Sequence, residues 1–403
     1  MLFRSTDEHG QSIMKAAEKL GITPREQADR VVSRYHEVWK TLGITHDDFV
    51  RTTEERHRDA VLEMVRRIEA SGDFYVDKHE GWYCAACESF YTEKELLPGN
   101  RCPTHETECE WQSEENVFFK LSAYQDRLLE LYAQEDPPFV VPESRRNEVR
   151  SFVEGGLKDI SVSRAGLPWG IPFPGRDDEV VYVWLDALTN YLTALGLGSE
   201  DTAKLDRYWH ESGTRINLIG KDILRFHAIW WPAFLMSAGL PVPSTVAIHG
   251  WWLRDDKKVS KTVGNVVRPD YLIERFGPDV LRYFLMRDMV FGQDASFSDE
   301  AFVDRFNSDL ANDLGNTVSR LVKLSRSIFD GKTPPEACND NPLIAAAATA
   351  VAEYHQGMRG FEYSKALASL WKLLSEVNQY LVQREPWKAV KTEGPSAGVS
   401  RVL

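Results

Sequence analysis

Three groups of residues in this sequence have types and spacings suited to chemistry. The first is Cys84-Ala-Ala-Cys87 with Cys102-Pro-Thr-His105, a C-x2-C knuckle, a 14-residue gap and a C-x2-H knuckle. Three thiolates and an imidazole are donors that tetrahedral zinc takes. Four protein ligands leave no open position, so the spacing predicts one structural zinc per chain. Cys109 competes with His105 as the fourth ligand, and the x2 spacing favours His105. The second group is Lys258-Val-Ser-Lys261-Thr262, two lysines flanking a hydroxyl on a loop. Such a loop suits stabilisation of a polyphosphate during transfer. There is no G-x-x-x-x-G-K-[ST] run, so a P-loop enzyme is excluded. The third group is apolar and aromatic: Trp184, Ala187, Leu188 and Tyr191, then Ile223, His227 and Trp231, both at helical spacing. Each set follows a strand, so together they could line one pocket, with Asp222 near its mouth.

These groups need elements to hold them. Val180–Trp184 reads as a buried strand feeding a helix at Asp186, and Ile216–Ile219 as another feeding a helix over about 222–238. Val246–Ile248 is a third strand. Strand–helix alternation indicates a parallel α/β sheet with its ligand site at the carboxyl ends of the strands. Before it, helices are expected over 12–20 and 25–42. Another is expected after a capping box at Thr52-x-x-Glu55, with Val61, Met64, Val65 and Ile68 on one face. Residues 74–120 are strand-like and cysteine-bearing, and the chain is mostly helical from about 270 onward.

Composition bounds the rest. A chain of 403 residues with 43% apolar and 27% charged residues is globular and long enough for two or three domains. No apolar run reaches the 18 or so residues of a membrane helix, and a cytoplasmic protein is the default expectation. The net charge of −13 excludes bulk nucleic-acid binding, so any nucleic-acid contact needs local patches. Five cysteines, three of them within 19 residues, argue for a metal site over a disulfide framework.

Several runs then carry a resemblance. Ser5-Thr-Asp-Glu-His-Gly10, Arg51-Thr-Thr-Glu-Glu-Arg56, the cysteine knuckles, Phe118-Phe-Lys-Leu-Ser122 and Gly156-Leu-Lys-Asp-Ile-Ser161 lie in the first part of the chain. Tyr182-Val-Trp-Leu-Asp-Ala187, Ile219-Gly-Lys-Asp-Ile223 with Phe226-His227, and Lys258–Thr262 follow. Together they resemble the bacterial methionyl-tRNA synthetases, class I aminoacyl-tRNA synthetases. The last run is similar to the family's KMSKS loop, with Val259 and Thr262 as substitutions.

The resemblance implies an α/β fold: a Rossmann-type parallel sheet interrupted by a zinc-binding insertion, then a helical anticodon-binding domain. It places the Rossmann halves at 1–73 and 179–254, the insertion at 74–178, the loop and stem-contact segment at 255–298 and the anticodon domain at 299–403. It implies a methionine–tRNA ligase using ATP with magnesium, acting on methionine and tRNA(Met), with no membrane or DNA partner. Asp7 would hold the substrate's α-ammonium. Trp184, Ala187, Leu188, Tyr191, Asp222, Ile223, His227 and Trp231 would surround methionine, and Lys258 and Lys261 would contact ATP. Asn316, Arg320 and Trp387 would meet the anticodon. The family's H-x-G-H signature is absent from the ten histidines. The chain as given is therefore expected to look truncated at both ends and not to form methionyl-adenylate at a useful rate. A non-catalytic tRNA- or zinc-binding remnant, or a sister synthetase for another apolar amino acid, stands as the alternative.

Overall fold

The computed structural model describes residues 1–86, 89–104, 106–254, 257–258, 269–332 and 341–393. The chain forms two compact units, Met1–Ile248 and His249–Leu403.

The first unit opens with β1 (Phe3–Thr6), α1 (Gln11–Leu20), α2 (Pro24–Thr41), β2 (Asp48–Arg51) and α3 (Glu55–Ala70). β1 and β2 run parallel, Phe3 opposite Asp48 and Thr6 opposite Arg51. α2 begins where Thr23 and Glu26 cap each other reciprocally and Pro24 presets the first turn. The capping box expected at Thr52 and Glu55 does not form. Glu54 is the residue before α3, and the Thr52 hydroxyl instead accepts the Glu8 backbone N–H at 2.9 Å. α3 buries His57, Ala60, Val61, Met64, Val65 and Ile68 along one stripe.

β3 (Phe74–Cys84), β4 (Ser89–Tyr91) and β5 (Glu110–Phe119) follow, then α4 (Gln125–Tyr132), β6 (Val140–Val141), α5 (Glu143–Glu154), β7 (Ile160–Ser161) and β8 (Ser163–Ala165). β3 and β5 form one long antiparallel ladder from Phe74 opposite Phe119 to Tyr83 opposite Glu110. The strand order in that sheet is β4-β3-β5-β7.

β9 (Glu179–Val181), α6 (Val183–Thr193), the single turn α7 (Ala203–Leu205), β10 (Ile216–Gly220), α8 (Trp231–Ser237) and β11 (Thr245–His249) complete the unit. β9 departs from the expectation. It pairs antiparallel with β8 and not within the parallel sheet, and the chain is already helical at Val183. The Tyr182 N–H donates to the carbonyl of Val162, the residue between β7 and β8, which anchors the start of α6 there. β10, β11 and β6 make a separate three-stranded sheet. Along β10, Asn217 and Ile219 are buried, whereas Ile216 and Leu218 are exposed, the period-2 alternation of a half-covered strand. The core gathers α3, α6 and α8 around Phe119, Tyr132, Phe139, Trp231 and Phe234, all fully buried. Each such side chain contributes about 1.5–3 kcal/mol.

The second unit has β12 (Trp252–Arg254), β13 (Lys257–Lys258), α9 (Pro269–Phe276), α10 (Pro278–Asp288) and β14 (Ala295–Ser296). β12 pairs antiparallel with β13 and parallel with β14. Gly250 is required there, because a Cβ would lie 1.9 Å from the Gln293 carbonyl oxygen. α11 (Asp299–Arg305), α12 (Asn316–Phe329), α13 (Pro342–Arg359), α14 (Tyr363–Arg384) and α15 (Pro386–Glu393) follow, with a π-helical stretch over Phe306–Gly315. Asp309 knots them: it accepts from Tyr283 at 2.7 Å and Ser308 at 2.8 Å, and its carbonyl takes the Trp371 indole N–H at 3.1 Å. No helix among the described residues is long and apolar enough to cross a membrane.

Candidate active site

α6 carries Trp184, Ala187, Leu188 and Tyr191. After β10 the chain takes a tight turn at Lys221–Ile223, then a π-helical turn at Phe226–Trp230, before α8. This replaces the continuous helix expected from 222. The extra residue of a π turn rotates the side chains that follow it, and such turns recur at functional sites. It seats His227 and Trp231 against Tyr191, with ring centroids 5.6 and 5.9 Å from the tyrosine. His227 and Trp231 are buried. Ala187 and Ile223 are half-buried and Asp222 is exposed. Trp184 stacks face to face on Phe226 at 3.6 Å, a partner not anticipated from the sequence. The indole nitrogens of Trp184 and Trp231 are buried donors without a hydrogen-bond partner.

The hydrogen placement in this cluster follows from bonding. His227 Nδ1 lies 3.0 Å from the Ile223 carbonyl, which only accepts, so Nδ1 carries the hydrogen. Burial pushes the His227 pKa down to about 4, so the ring is neutral and Nε2 is an acceptor. Tyr191 donates to it at 2.7 Å. Burial also pushes the Tyr191 hydroxyl above its usual range.

Asp7 follows β1 and is exposed on the turn that the next residues pin. Glu8 is only 2% exposed. It accepts from Arg51 at 2.7 and 3.0 Å, from Thr53 at 2.5 Å and from Thr6 at 2.7 Å. Burial works against its charge, but Arg51 and the hydroxyls hold the carboxyl below the usual range. His9 Nδ1 meets Asp186 Oδ2 at 2.6 Å, and His57 Nε2 meets Asp186 Oδ1 at 2.7 Å. The Trp169 indole donates to the Glu8 carbonyl at 2.6 Å and its ring meets His9 edge-on. Phe3 of β1 touches Tyr191, centroids 5.8 Å apart.

At the far end of the β3–β5 ladder, Tyr83 faces Glu110, which brings Cys84 and Cys109 side by side. Cys84, Cys102 and Cys109 are buried in one cluster beneath Trp82, Tyr91 and Leu96, and none is in a disulfide. The Thr104 N–H points at Cys102 Sγ at 3.4 Å. Burial and the two neighbouring thiols push Cys109 up to about 11. Cys87 and His105 lie outside the described residues, and among the described ones no three side chains converge as a metal site.

Lys258 pairs through its backbone with Leu253; its side chain and all of Lys261 lie outside the described residues. Asn316 and Arg320 are exposed on α12. Asn378 of α14 donates to Thr317 at 2.7 Å, which ties α12 to α14. α14 ends at Glu385, with φ of 43°, and α15 begins directly with Pro386 and half-buried Trp387.

With this geometry described, comparison with known proteins is decisive. The family model described as tRNA synthetases class I (M) matches residues 1–108 and 95–322. The anticodon binding domain of methionyl tRNA ligase matches residues 331–402. The chain belongs to the class I (M) tRNA synthetase family. Its fold is accordingly the class I synthetase fold, an α/β body followed by a helical anticodon domain. Curated relatives in this synthetase family include the methionine–tRNA ligase of Caldanaerobacter subterraneus subsp. tengcongensis, 44% identical over 406 residues. That match covers 100% of this chain and 63% of the relative. The methionine–tRNA ligase of Oceanobacillus iheyensis is 44% identical over 413 residues, covering 99% and 61%. The chain thus spans about three fifths of the length of these relatives. A crystal structure of Mycobacterium tuberculosis methionyl-tRNA synthetase bound by methionyl-adenylate superimposes with a TM-score of 0.92 at 41% identity. It matches 99% of this chain and 79% of that one. The apo form of that synthetase gives 0.83 at 39% identity, covering 94% and 75%.

Within this synthetase fold, the residues that sequence reasoning missed are Glu8, His9, His57 and Asp186. A run of charged residues after β1 is usually solvated, and Glu8 and His9 are charged-type residues buried in succession. The signal that could have found Glu8 and His9 is the adjoining Gly10, which takes a φ of 93°, a conformation that favours glycine.

Proposed function

We propose that the chain carries the sites of a methionine–tRNA ligase, an enzyme in which ATP and methionine give methionyl-adenylate and pyrophosphate and the acyl group passes to tRNA(Met). The observation that carries this reading is the Tyr191–His227–Trp231 cluster between the last turn of α6 and the start of α8, in a chain 41% identical to a synthetase solved with methionyl-adenylate. A neutral imidazole with the Tyr191 and Trp231 rings offers a thioether shape and polarizability without a charge to desolvate. Trp184, Ala187, Leu188 and Ile223 extend that wall, and Asp222 stands at its mouth. Asp7 binds the α-ammonium by charge. Lys258 and Lys261 neutralise the polyphosphate, which magnesium accompanies. No covalent enzyme intermediate is needed, because in-line displacement at the α-phosphate depends on positioning and charge stabilisation.

In the insertion 74–178, Cys84, Cys87, Cys102 and either His105 or Cys109 would hold zinc. In support, Cys84, Cys102 and Cys109 share one buried cluster, and thiolates are a soft donor set suited to zinc. Bound zinc would cross-link the two knuckles and take no part in catalysis. Asn316 and Arg320 read base edges while Trp387 stacks on a splayed anticodon base. A cytoplasmic location follows from acting on tRNA.

The test is ATP–pyrophosphate exchange with purified protein. Methionine-dependent exchange supports the reading. Exchange driven by leucine, isoleucine or valine makes the chain a sister enzyme, and tRNA binding without any exchange makes it a non-catalytic binder.

A further inference from the structure

Asp186 is wholly buried, and nothing in the proposed chemistry uses it. A sealed carboxylate is costly unless it is both paired and hydrogen-bonded. Here both its oxygens are taken, one by His9 at 2.6 Å and one by His57 at 2.7 Å. We propose that His9–Asp186–His57 is a buried bridge that positions the Asp7 turn against the amino-acid pocket, with both histidines acting as positioning residues. This rests on the reading of Asp7 and the α6 residues as the methionine site.

The connectivity assigns each histidine a task. Asp186 sits on α6 between Trp184 and Ala187, so a shift of Asp186 moves the pocket wall. His57, on α3, reaches Asp186 with Nε2 and Thr193 with Nδ1 at 2.9 Å. It therefore clamps α6 near its start and at its last residue. His9 is two residues from Asp7 and is 9% exposed. Two charged side chains of the turn are anchored on different elements. Glu8 fixes it to Arg51 of β2, and His9 fixes it to α6. The second ties the segment of the α-ammonium group's partner to the helix that carries the side-chain pocket. A misplacement of 1 Å between such groups can cost about a hundredfold in rate.

The charged groups facing His9 are Asp186 on α6, with Asp7 and Glu8 on its own turn. His57 lies beyond Asp186, and Arg51 is already held by Glu8 and Asp29. Burial disfavours the imidazolium, but Asp186 and then Asp7 and Glu8 outweigh it and raise the His9 pKa. Loss of that proton takes the charge out of the His9–Asp186 contact, and the bridge weakens.

The test uses the full 403-residue chain and titrates methionine against tryptophan fluorescence for parent, His9→Ala and His9→Asn. The asparagine amide nitrogen occupies the place of Nδ1, so it restores the hydrogen bond without the charge. His9→Ala should weaken methionine about tenfold or more, as expected when a buried carboxylate loses a partner. His9→Asn should recover most of that near neutral pH, and its affinity should no longer fall as pH rises. Unchanged affinity in His9→Ala, or His9→Asn no better than His9→Ala, overturns the bridge. Leucine, isoleucine and valine are titrated alongside. Preference for one of them overturns the methionine reading alone, and the variant-to-parent ratio for that amino acid still decides the bridge. If none binds, the methionine reading falls and amide exchange over 183–193 decides the bridge. His9→Ala must then accelerate it and His9→Asn must not; parental rates in His9→Ala overturn it.

Discussion

Tyr191 gives its hydroxyl hydrogen to His227 Nε2 across 2.7 Å, because the other ring nitrogen already donates to the Ile223 carbonyl. The tyrosine therefore presents only lone pairs to a ligand. Tyr191→Phe leaves Nε2 buried without a partner, which costs about 1–3 kcal/mol. The melting temperature should drop accordingly, and His227→Gln in the same background should add little further loss, since the pair is already broken. A large additional loss would mean that the two side chains stabilise the fold separately.

The same histidine sets a pH dependence whose sign is fixed. Its folded pKa is lowered from 6.5 to about 4, so between those values the unfolded chain takes a proton that the native state refuses. Stability is lost as pH falls through that window, by up to about 3 kcal/mol for one proton. His9 works in the opposite sense: its raised pKa adds stability below the unfolded value and gives it up as pH rises through the folded one. Urea midpoints from pH 7 to 4.5 should fall less steeply for His227→Gln than for the parent. Parallel curves would show that His227 takes up a proton in the native state.

Arg51 is the cation for a carboxylate that water barely reaches. Removing it as Arg51→Ala strands Glu8, 2% exposed, and should destabilise by about 3–5 kcal/mol. Neutralising the acid as well, in Glu8→Gln with Arg51→Ala, should return part of the loss. A double variant weaker than the single one by the full cost of Glu8→Gln would show no coupling between the two.

Much of the first unit was legible in the sequence, for identifiable reasons. The period-3.6 stripe of Val61, Met64, Val65 and Ile68 is a local pattern, and α3 forms where that pattern says. Tyr191, which the sequence groups with His227 and Trp231, touches both of those rings. What stayed hidden is non-local. The π turn that seats His227 has no propensity signature, and β9 looks like any buried parallel strand until its antiparallel partner β8 is known. The bridge at Asp186 joins residues 177 and 129 positions apart, a separation no spacing rule spans. The turn chemistry at Thr52 was misread because its hydroxyl serves Glu8, 44 residues away, in place of its own helix.

The cysteine cluster predicts about one zinc per chain. Cys84→Ser and Cys102→Ser should both release it, and the β3–β5 hairpin should then lose amide-exchange protection before the rest of the unit. The fourth ligand separates cleanly. His105→Ala releasing the metal with Cys109→Ser keeping it matches the repeated x2 spacing. The reverse result makes Cys109, which the ladder sets beside Cys84, the ligand. Full retention in all four variants removes the site.

Trp387 offers a way to part the two units' work. It is the second residue of α15, after Pro386 and the left-handed residue Glu385, and it is half-buried. Base–aromatic stacking is worth roughly 1–3 kcal/mol. Trp387→Ala should therefore weaken tRNA(Met) binding by about tenfold or more, with methionine-dependent exchange nearly unchanged, because adenylation involves no anticodon. Asn378→Ala serves as the structural control. It breaks the 2.7 Å tie to Thr317 that holds α12, and with it Asn316 and Arg320, against α14. If the ring acts by stacking, Trp387→Phe restores most of the tRNA affinity at an unchanged melting temperature. If Trp387→Ala lowers the melting temperature as Asn378→Ala does, and phenylalanine restores stability and binding together, the ring is part of the packing of α15 and the anticodon assignment fails.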